Sequence, residues 1–209
     1  PIAADERQRR SAYQCLTFLA NAYIWSESQA VDVLPANIAT PLVEVSDLLR
    51  LPPLATYASL CLWNFRPILT KSGSNSGLVD WDLSNLTTIN TYTGSIDESW
   101  FYLVSVFFEY EGGSCIELGL KTMRLIDEGA SPKIIVKYLQ ELAESIDYLG
   151  SVLMRMEDHC DPHVFYYRIR PFLAGWKGMS DVGLSKDGVL YGNESSRRLY
   201  AGGSNAQSS

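Results

Sequence analysis

Apolar residues recur at helical spacing along most of this 209-residue chain, and strand-type alternation is almost absent. Residues 4–25 open with the charges Asp5 to Arg10. They pass into Tyr13, Leu16, Phe18, Leu19, Ala22 and Tyr23, which predicts an amphipathic helix. Pro35 breaks the next segment. Leu42, Val43, Val45, Leu48 and Leu49 then predict a short helix ending before Pro52-Pro53. Residues 53–65 predict another, with Tyr57, Leu60, Cys61 and Asn64 on one face. Lys71 to Gly77 reads as a flexible polar loop, and residues 81–94, rich in Thr, Asn and Ser, as irregular structure.

Ser95-Ile96-Asp97-Glu98 is a capping box. The helix it opens, through Trp100, Phe101, Leu103, Val104, Phe107 and Phe108, is apolar nearly all round and should be central and buried. A kink or close packing contact is expected at Gly112-Gly113, which interrupts it. Ser131-Pro132 starts a further helix, with Ile135, Tyr138, Leu142, Ile146, Leu149, Leu153 and Met156 at helical spacing down to Asp158. Gly188 to Tyr191 is the one segment that suggests a strand, and the tail from Gly202 is small and polar. The fold class is all-α in one compact unit, with an N-terminal helical part (1–70), a flexible or irregular connection (71–94) and a third part (95–209).

Composition narrows the function classes. Hydrophobic residues make up 46% and charged residues 20%, the balance of a globular protein with a real core. The net charge of −7 argues against nucleic acid as a partner, because phosphate binding rests on clustered Lys and Arg. No apolar run is long enough to span a membrane, and no signal-like segment opens the chain. Cys15, Cys61, Cys115 and Cys160 form no CxxC pair and lie in apolar or helical contexts. They read as buried, reduced thiols of a cytoplasmic protein.

The chemistry concentrates in His163 to Lys177, HVFYYRIRPFLAGWK, which reads as one short helix ending in a loop. Arg168 and Arg170 stand there among Phe165, Tyr166, Tyr167, Phe172 and Trp176. An arginine in an aromatic setting needs an anion, and its planar guanidinium suits a carboxylate. Two readings stay open: a pocket for a small aromatic ligand carrying a carboxylate, or an ion pair with a carboxylate of the protein itself.

Several blocks together resemble the indoleamine 2,3-dioxygenase family, in a fungal-type form. They are Phe18 to Trp25 (FLANAYIW), Leu34 to Ala39, Pro41 to Ser46, Leu51-Pro52-Pro53 with Tyr57-Ala58, Phe101 to Ser105, Arg170 to Lys177, and Gly202-Gly203-Ser204 leading to Gln207-Ser208-Ser209. The resemblance implies a multi-helical haem-enzyme fold, incomplete in this chain, whose residues 95–209 carry the haem and substrate-pocket helices and end in a Gly-Ser loop. It implies haem b (iron protoporphyrin IX) as cofactor and dioxygen as co-substrate. The implied activity opens the indole 2,3 double bond of L-tryptophan to give N-formylkynurenine, on the kynurenine route towards NAD. Arg170 matches the residue that holds the substrate carboxylate. Phe165 and Phe101 match aromatics that pack on the indole, and Tyr166 is an alternative close neighbour of the ring. Tyr57, Leu60 and Cys61 match the inner pocket wall, Ser105 a small polar residue above the iron, and Leu173 a further apolar contact. Ser204, Asn205 and Ala206 match the loop over the substrate, although Asn205-Ala206 stands where the family commonly has Ala-Gly. No residue is assigned a catalytic acid or base role, because iron-bound dioxygen does the chemistry.

Individual residues also have plainer explanations. Phe101, Leu60 and Cys61 lie on apolar helices and could be core, and Ser105 could bond back to a carbonyl one turn earlier. The family's proximal histidine belongs to a helix beyond Ser209, and neither His159 nor His163 matches it. The iron ligand is therefore expected from a C-terminal segment of the same protein, either continuous with this chain or present as a separate chain. Two alternatives remain: a catalytically inactive helical relative that binds a ligand or partner, and a haem-sensing protein using His159 or His163.

Overall fold

The computed structural model describes residues 5–27, 29–69 and 81–202. The protein is mainly helical, as the periodicity predicts. Helix α1 (Glu6–Trp25) is capped by Asp5, whose carboxylate accepts Arg7 N–H at 3.2 Å. It buries Tyr13, Thr17, Phe18, Ala20, Asn21 and Ile24 along one side. The short strand β1 (Val33–Leu34) leads to helix α2 (Ala36–Leu49), which runs through Pro41 and ends on Arg50 in the left-handed conformation. Leu51 N–H closes that end on the Ser46 carbonyl at 3.0 Å.

The helix expected over 53–65 is mostly absent. A single π-helical turn, Ala58–Leu62, replaces it, followed by strand β2 (Phe65–Pro67). The supposedly irregular 81–94 segment holds a 3₁₀ turn (Leu83–Asn85) and strand β3 (Leu86–Thr88), antiparallel to β2 with Arg66 opposite Thr87. Buried Asn64 is the reason the chain turns here. Its Oδ1 accepts from Gln14 Nε2 and Asn90 N, both at 2.8 Å, and its Nδ2 donates to the Leu60 and Asn90 carbonyls at 3.0 and 2.9 Å. One amide thus replaces the next helical turn and clips α1 to the end of β3.

Helix α3 (Ile96–Asp127) crosses Gly112-Gly113 without a break, against expectation. Two glycines cost a long helix about 2 kcal/mol in propensity, too little to end one that is packed along its length. Leu149 of helix α4 (Pro132–Met154) is 3.8 Å from where a Gly112 Cβ would sit, an ordinary contact. Half of the capping box forms as expected, with Ser95 Oγ accepting Glu98 N–H at 3.2 Å. The fully buried Glu98 carboxylate turns instead to the backbone N–H groups of Tyr92 and Thr93, at 2.7 Å each, and to the Tyr102 hydroxyl at 3.0 Å.

α3 is buried mainly in its first half, through Trp100, Tyr102, Leu103, Val104, Val106 and Phe107, with Thr122 the buried residue of its second half. Further along, α3 and α4 form a hairpin with exposed apolar side chains, including Ile116 (67%), Met123 (63%) and Ile146 (55%). After α4 come a 3₁₀ turn (Arg155–Asp158), the short helix α5 (Pro162–Val164), and strands β4 (Val189–Tyr191) and β5 (Arg197–Arg198). β4 lies parallel to β1 and antiparallel to β5. Among the described residues no helix is long and apolar enough to cross a membrane.

One core cluster joins α1, α2 and β4 around Trp176. Its indole N–H donates to the Tyr191 hydroxyl at 2.8 Å, which donates to the Pro53 carbonyl at 2.7 Å. The cysteines are unbonded, and Cys61 and Cys160 are buried as expected, but Cys15 is exposed and Cys115 only half-buried.

Candidate functional site

The His163–Lys177 stretch is not one uniform helix. Asp161 caps α5 by accepting from His163 and Val164 N–H groups at 2.8 and 3.0 Å. The chain then widens into a π turn (Phe165–Ile169) and tightens into a 3₁₀ turn (Arg170–Leu173). Phe165, Ile169 and Leu173, four apart, face inward into one apolar cluster. Tyr166 and Arg170, also four apart, face outward, and the Arg170 guanidinium lies 5.0 Å from the Tyr166 ring centre. Helix α1 holds this turn in place. Asn21 Nδ2 donates to the Phe172 and Ala174 carbonyls (2.9 and 3.2 Å), while its Oδ1 accepts Ala55 N–H at 3.2 Å. Trp25 Nε1 adds a bond to the Ala174 carbonyl at 3.2 Å.

Six of the expected site residues meet in that cluster: Tyr57, Leu60, Cys61, Phe101, Phe165 and Leu173. Phe101 and Phe165 contact ring to ring at 4.6 Å with a 40° tilt. Ser105 follows Phe101 by one helical turn, beside Tyr57 and Cys61, and its hydroxyl donates to the Phe101 carbonyl at 3.0 Å. The back-bond considered from the sequence is therefore present. One turn further, Glu109 accepts the Tyr57 hydroxyl at 2.9 Å, a contact the sequence did not suggest. Burial, the neighbouring Cys61 thiol and this carboxylate raise the Tyr57 phenol well above its ordinary range. Burial pushes the Cys61 thiol up to about 12, so it stays protonated and behaves as an apolar wall.

Arg170 and Tyr166 line a neighbouring cavity of about 480 Å³, within the size range of small-molecule sites. Trp25, Glu27, Lys177 and Gly202 complete its rim. The segments carrying Gly175 and Gly202 touch there: a Cβ on Gly175 would sit 2.2 Å from Gly202 N. Trp176 and Lys177 N–H groups both reach the Tyr200 carbonyl, at 2.8 and 2.9 Å. Both glycines belong to the family-like blocks, and backbone contact is the physical reason a side chain is excluded from either. Among the described residues neither Arg168 nor Arg170 forms an ion pair, and none of them supplies a carboxylate to Arg170. Ser204, Asn205 and Ala206 lie outside the described residues.

Among the described residues no group of three or more His, Cys, Asp or Glu side chains is placed to hold a metal ion. His159 packs edge-on against Trp100 at 4.7 Å and His163 lies 4.6 Å from the Tyr167 ring. Neither belongs to the aromatic cluster beside Ser105. Ser105, Phe101 and Cys61 offer an apolar, nearly uncharged surface of the kind that would border a flat macrocycle.

Fold and site together define a helical protein with a packed aromatic cluster that holds a buried thiol and, beside it, a cavity lined by an arginine that has no ion pair among the described residues. The sequence model of indoleamine 2,3-dioxygenase matches residues 2–209, and the chain belongs to that family. It is 50% identical to an indoleamine 2,3-dioxygenase of Saccharomyces cerevisiae over 209 residues, covering all of this chain and 46% of the yeast protein. It is 40% identical to indoleamine 2,3-dioxygenase acdA of Aspergillus candidus (95% of this chain, 49% of that protein). It is 36% identical to human indoleamine 2,3-dioxygenase 2 (97% and 48%). The chain thus spans about half the length of these relatives.

Proposed function

We propose that this chain forms the substrate side of a haem-dependent dioxygenase that opens the indole 2,3 double bond of L-tryptophan to give N-formylkynurenine. The observation that carries this reading is Arg170, a guanidinium without a protein carboxylate among the described residues, at the edge of an aromatic cluster. Arg170 holds the substrate carboxylate, Phe101, Phe165 and Tyr166 flank the indole, and Leu173, Leu60, Cys61 and Tyr57 close the inner wall. The family resemblance also assigns substrate contact to Ser204, Asn205 and Ala206, which lie outside the described residues. Ser105, with Phe101 and Cys61, would border the haem b group, which when bound would supply the dioxygen chemistry. The protein's own contribution is orientation and exclusion of water, so no side-chain acid or base is needed. The Tyr57 phenol, kept protonated and tied to Glu109, stays fixed across the working pH range.

The histidine that would hold the haem iron belongs, on this reading, to a C-terminal segment of the same protein. That segment also covers the exposed apolar flank of α3 and α4, which is unfavourable to leave in water. The parts 1–70, 71–94 and 95–209 then act as one unit, in the cytoplasm, at the first step of a route from tryptophan to NAD. The same exposed flank favours a second reading, an inactive relative that docks a partner protein. The test is the full-length protein with ferrous haem, dioxygen and L-tryptophan. The proposal expects one N-formylkynurenine per dioxygen consumed and a haem band that shifts with carbon monoxide. A folded full-length protein that takes up haem yet forms no product would overturn it.

A further inference from the structure

Asn21 is fully buried on α1, and its amide joins two segments that are far apart in sequence. Its Nδ2 donates to the Phe172 and Ala174 carbonyls at 2.9 and 3.2 Å, which bracket Leu173 at the end of the turn that Arg170 opens. Its Oδ1 accepts the N–H of Ala55 at 3.2 Å, just before Tyr57 and the Ala58–Leu62 turn. Both amide protons and the carbonyl oxygen are thus committed to main chain. Neighbours on α1 reinforce each grip. The Tyr13 hydroxyl lies 2.8 and 2.9 Å from the Pro52 and Leu54 carbonyls, and Trp25 Nε1 donates to the Ala174 carbonyl at 3.2 Å. One helix therefore holds two edges of the site by their backbone: the turn that presents Arg170, and the segment that leads to Tyr57, Leu60 and Cys61.

We infer that Asn21 is a positioning residue that sets the separation of these two edges, and so selects ligands by the length of the link between an aromatic ring and its carboxylate. The inference rests on the proposed reading of Arg170 and the inner wall, and deepens it by naming what holds the two at one distance. Asn21 touches neither ring nor carboxylate. It acts through the backbone of both edges, and with its side chain buried it has no water to replace the bonds it would lose. Where the edges cannot yield, one extra or missing methylene in the link costs about tenfold or more in affinity. Where they can, the site adjusts to each ligand and that preference shrinks.

The test is equilibrium binding to the full-length, haem-loaded protein without dioxygen, so that nothing turns over. The probes are indole-3-acetate, indole-3-propionate and indole-3-butyrate, which differ only in the length of the link. The unaltered protein is expected to prefer the propionate, whose link matches that of L-tryptophan, by about tenfold or more over either neighbour. Asn21→Ser should cut that preference to about threefold or less. Trp25→Phe, which removes only the indole N–H from Ala174, should cut it by about twofold, and it decides the matter if Asn21→Ser does not fold. A purely structural role would weaken all three acids alike and leave the preference intact, and that result overturns the inference. So does an unaltered protein that binds the three acids equally or binds none. Arg170→Ala in the same panel reports on the underlying reading separately, because it should weaken every acid. If it spares all three, the carboxylate anchor fails whatever Asn21 does.

Discussion

Asn64 makes a sharp stability prediction because all four of its amide hydrogen-bonding positions are used inside the protein. Asn64→Ala removes four bonds at 2.8–3.0 Å and strands their partners on Gln14, Leu60 and Asn90. At about 1 kcal/mol net per bond the loss is about 4 kcal/mol, a large share of the roughly 5–15 kcal/mol that holds a domain folded. Asn64→Asp keeps both acceptor bonds but turns a carboxylate oxygen towards the Leu60 and Asn90 carbonyls. It should cost at least as much at neutral pH. Urea unfolding of the full-length protein measures both. A loss below about 1 kcal/mol for Asn64→Ala, with an unchanged denaturant slope, would refute the reasoning that this amide holds the Ala58–Leu62 turn against α1.

Three further outcomes follow from buried or paired groups. The Tyr92 hydroxyl is buried without a hydrogen-bond partner among the described residues, its ring stacked between Phe18 and Phe172 at 4.6 and 5.0 Å. Tyr92→Phe should therefore stabilise the protein by about 1 kcal/mol in urea unfolding, and a loss of that size would show that the phenol has a partner. At pH 8 a disulfide reagent should label exposed Cys15 quickly and leave Cys61 and Cys160 unlabelled until unfolding, since burial pushes their thiols up to about 12 and about 11; early labelling of Cys61 would contradict the closed wall. The Arg198 guanidinium holds the Glu194 carboxyl below its usual range, so their pair stabilises the fold above about pH 4.3 and is lost as pH falls through the lower folded value. Glu194→Gln should flatten that acid limb of the stability curve by about 0.5 kcal/mol, allowing for the pair's exposure, and an unchanged limb would count against it.

Much of the helical frame is legible in the sequence because long amphipathic periods and caps are local signals. Asp5, Ser95 and Pro132 mark helix starts where the structure has them. What escapes is decided over distance. Asn64 looks like one more residue on a helical face, yet its partners lie 50 residues back and 26 ahead, and they turn a predicted helix into one π turn and a strand. Gly112-Gly113 looks like a break because propensity is visible and the packing of α4 is not. At the site, Tyr57, Leu60, Cys61, Phe101, Phe165 and Leu173, distant in sequence, share one apolar cluster. Glu27 and Glu109 were missed because each joins the site from a chain-distant element with no motif around it. Trp25 stood in the FLANAYIW block all along, but only the cavity shows what its position means.

The most direct measurement is the KM for L-tryptophan in the full-length protein with and without Arg170→Ala, with Arg168→Ala as the neighbouring control. Loss of a charged, two-pronged contact should raise KM by at least about tenfold for Arg170→Ala and leave Arg168→Ala near wild type. An unchanged KM in a folded Arg170→Ala protein would mean that the carboxylate is held elsewhere, and the assignment of this pocket would fall with it.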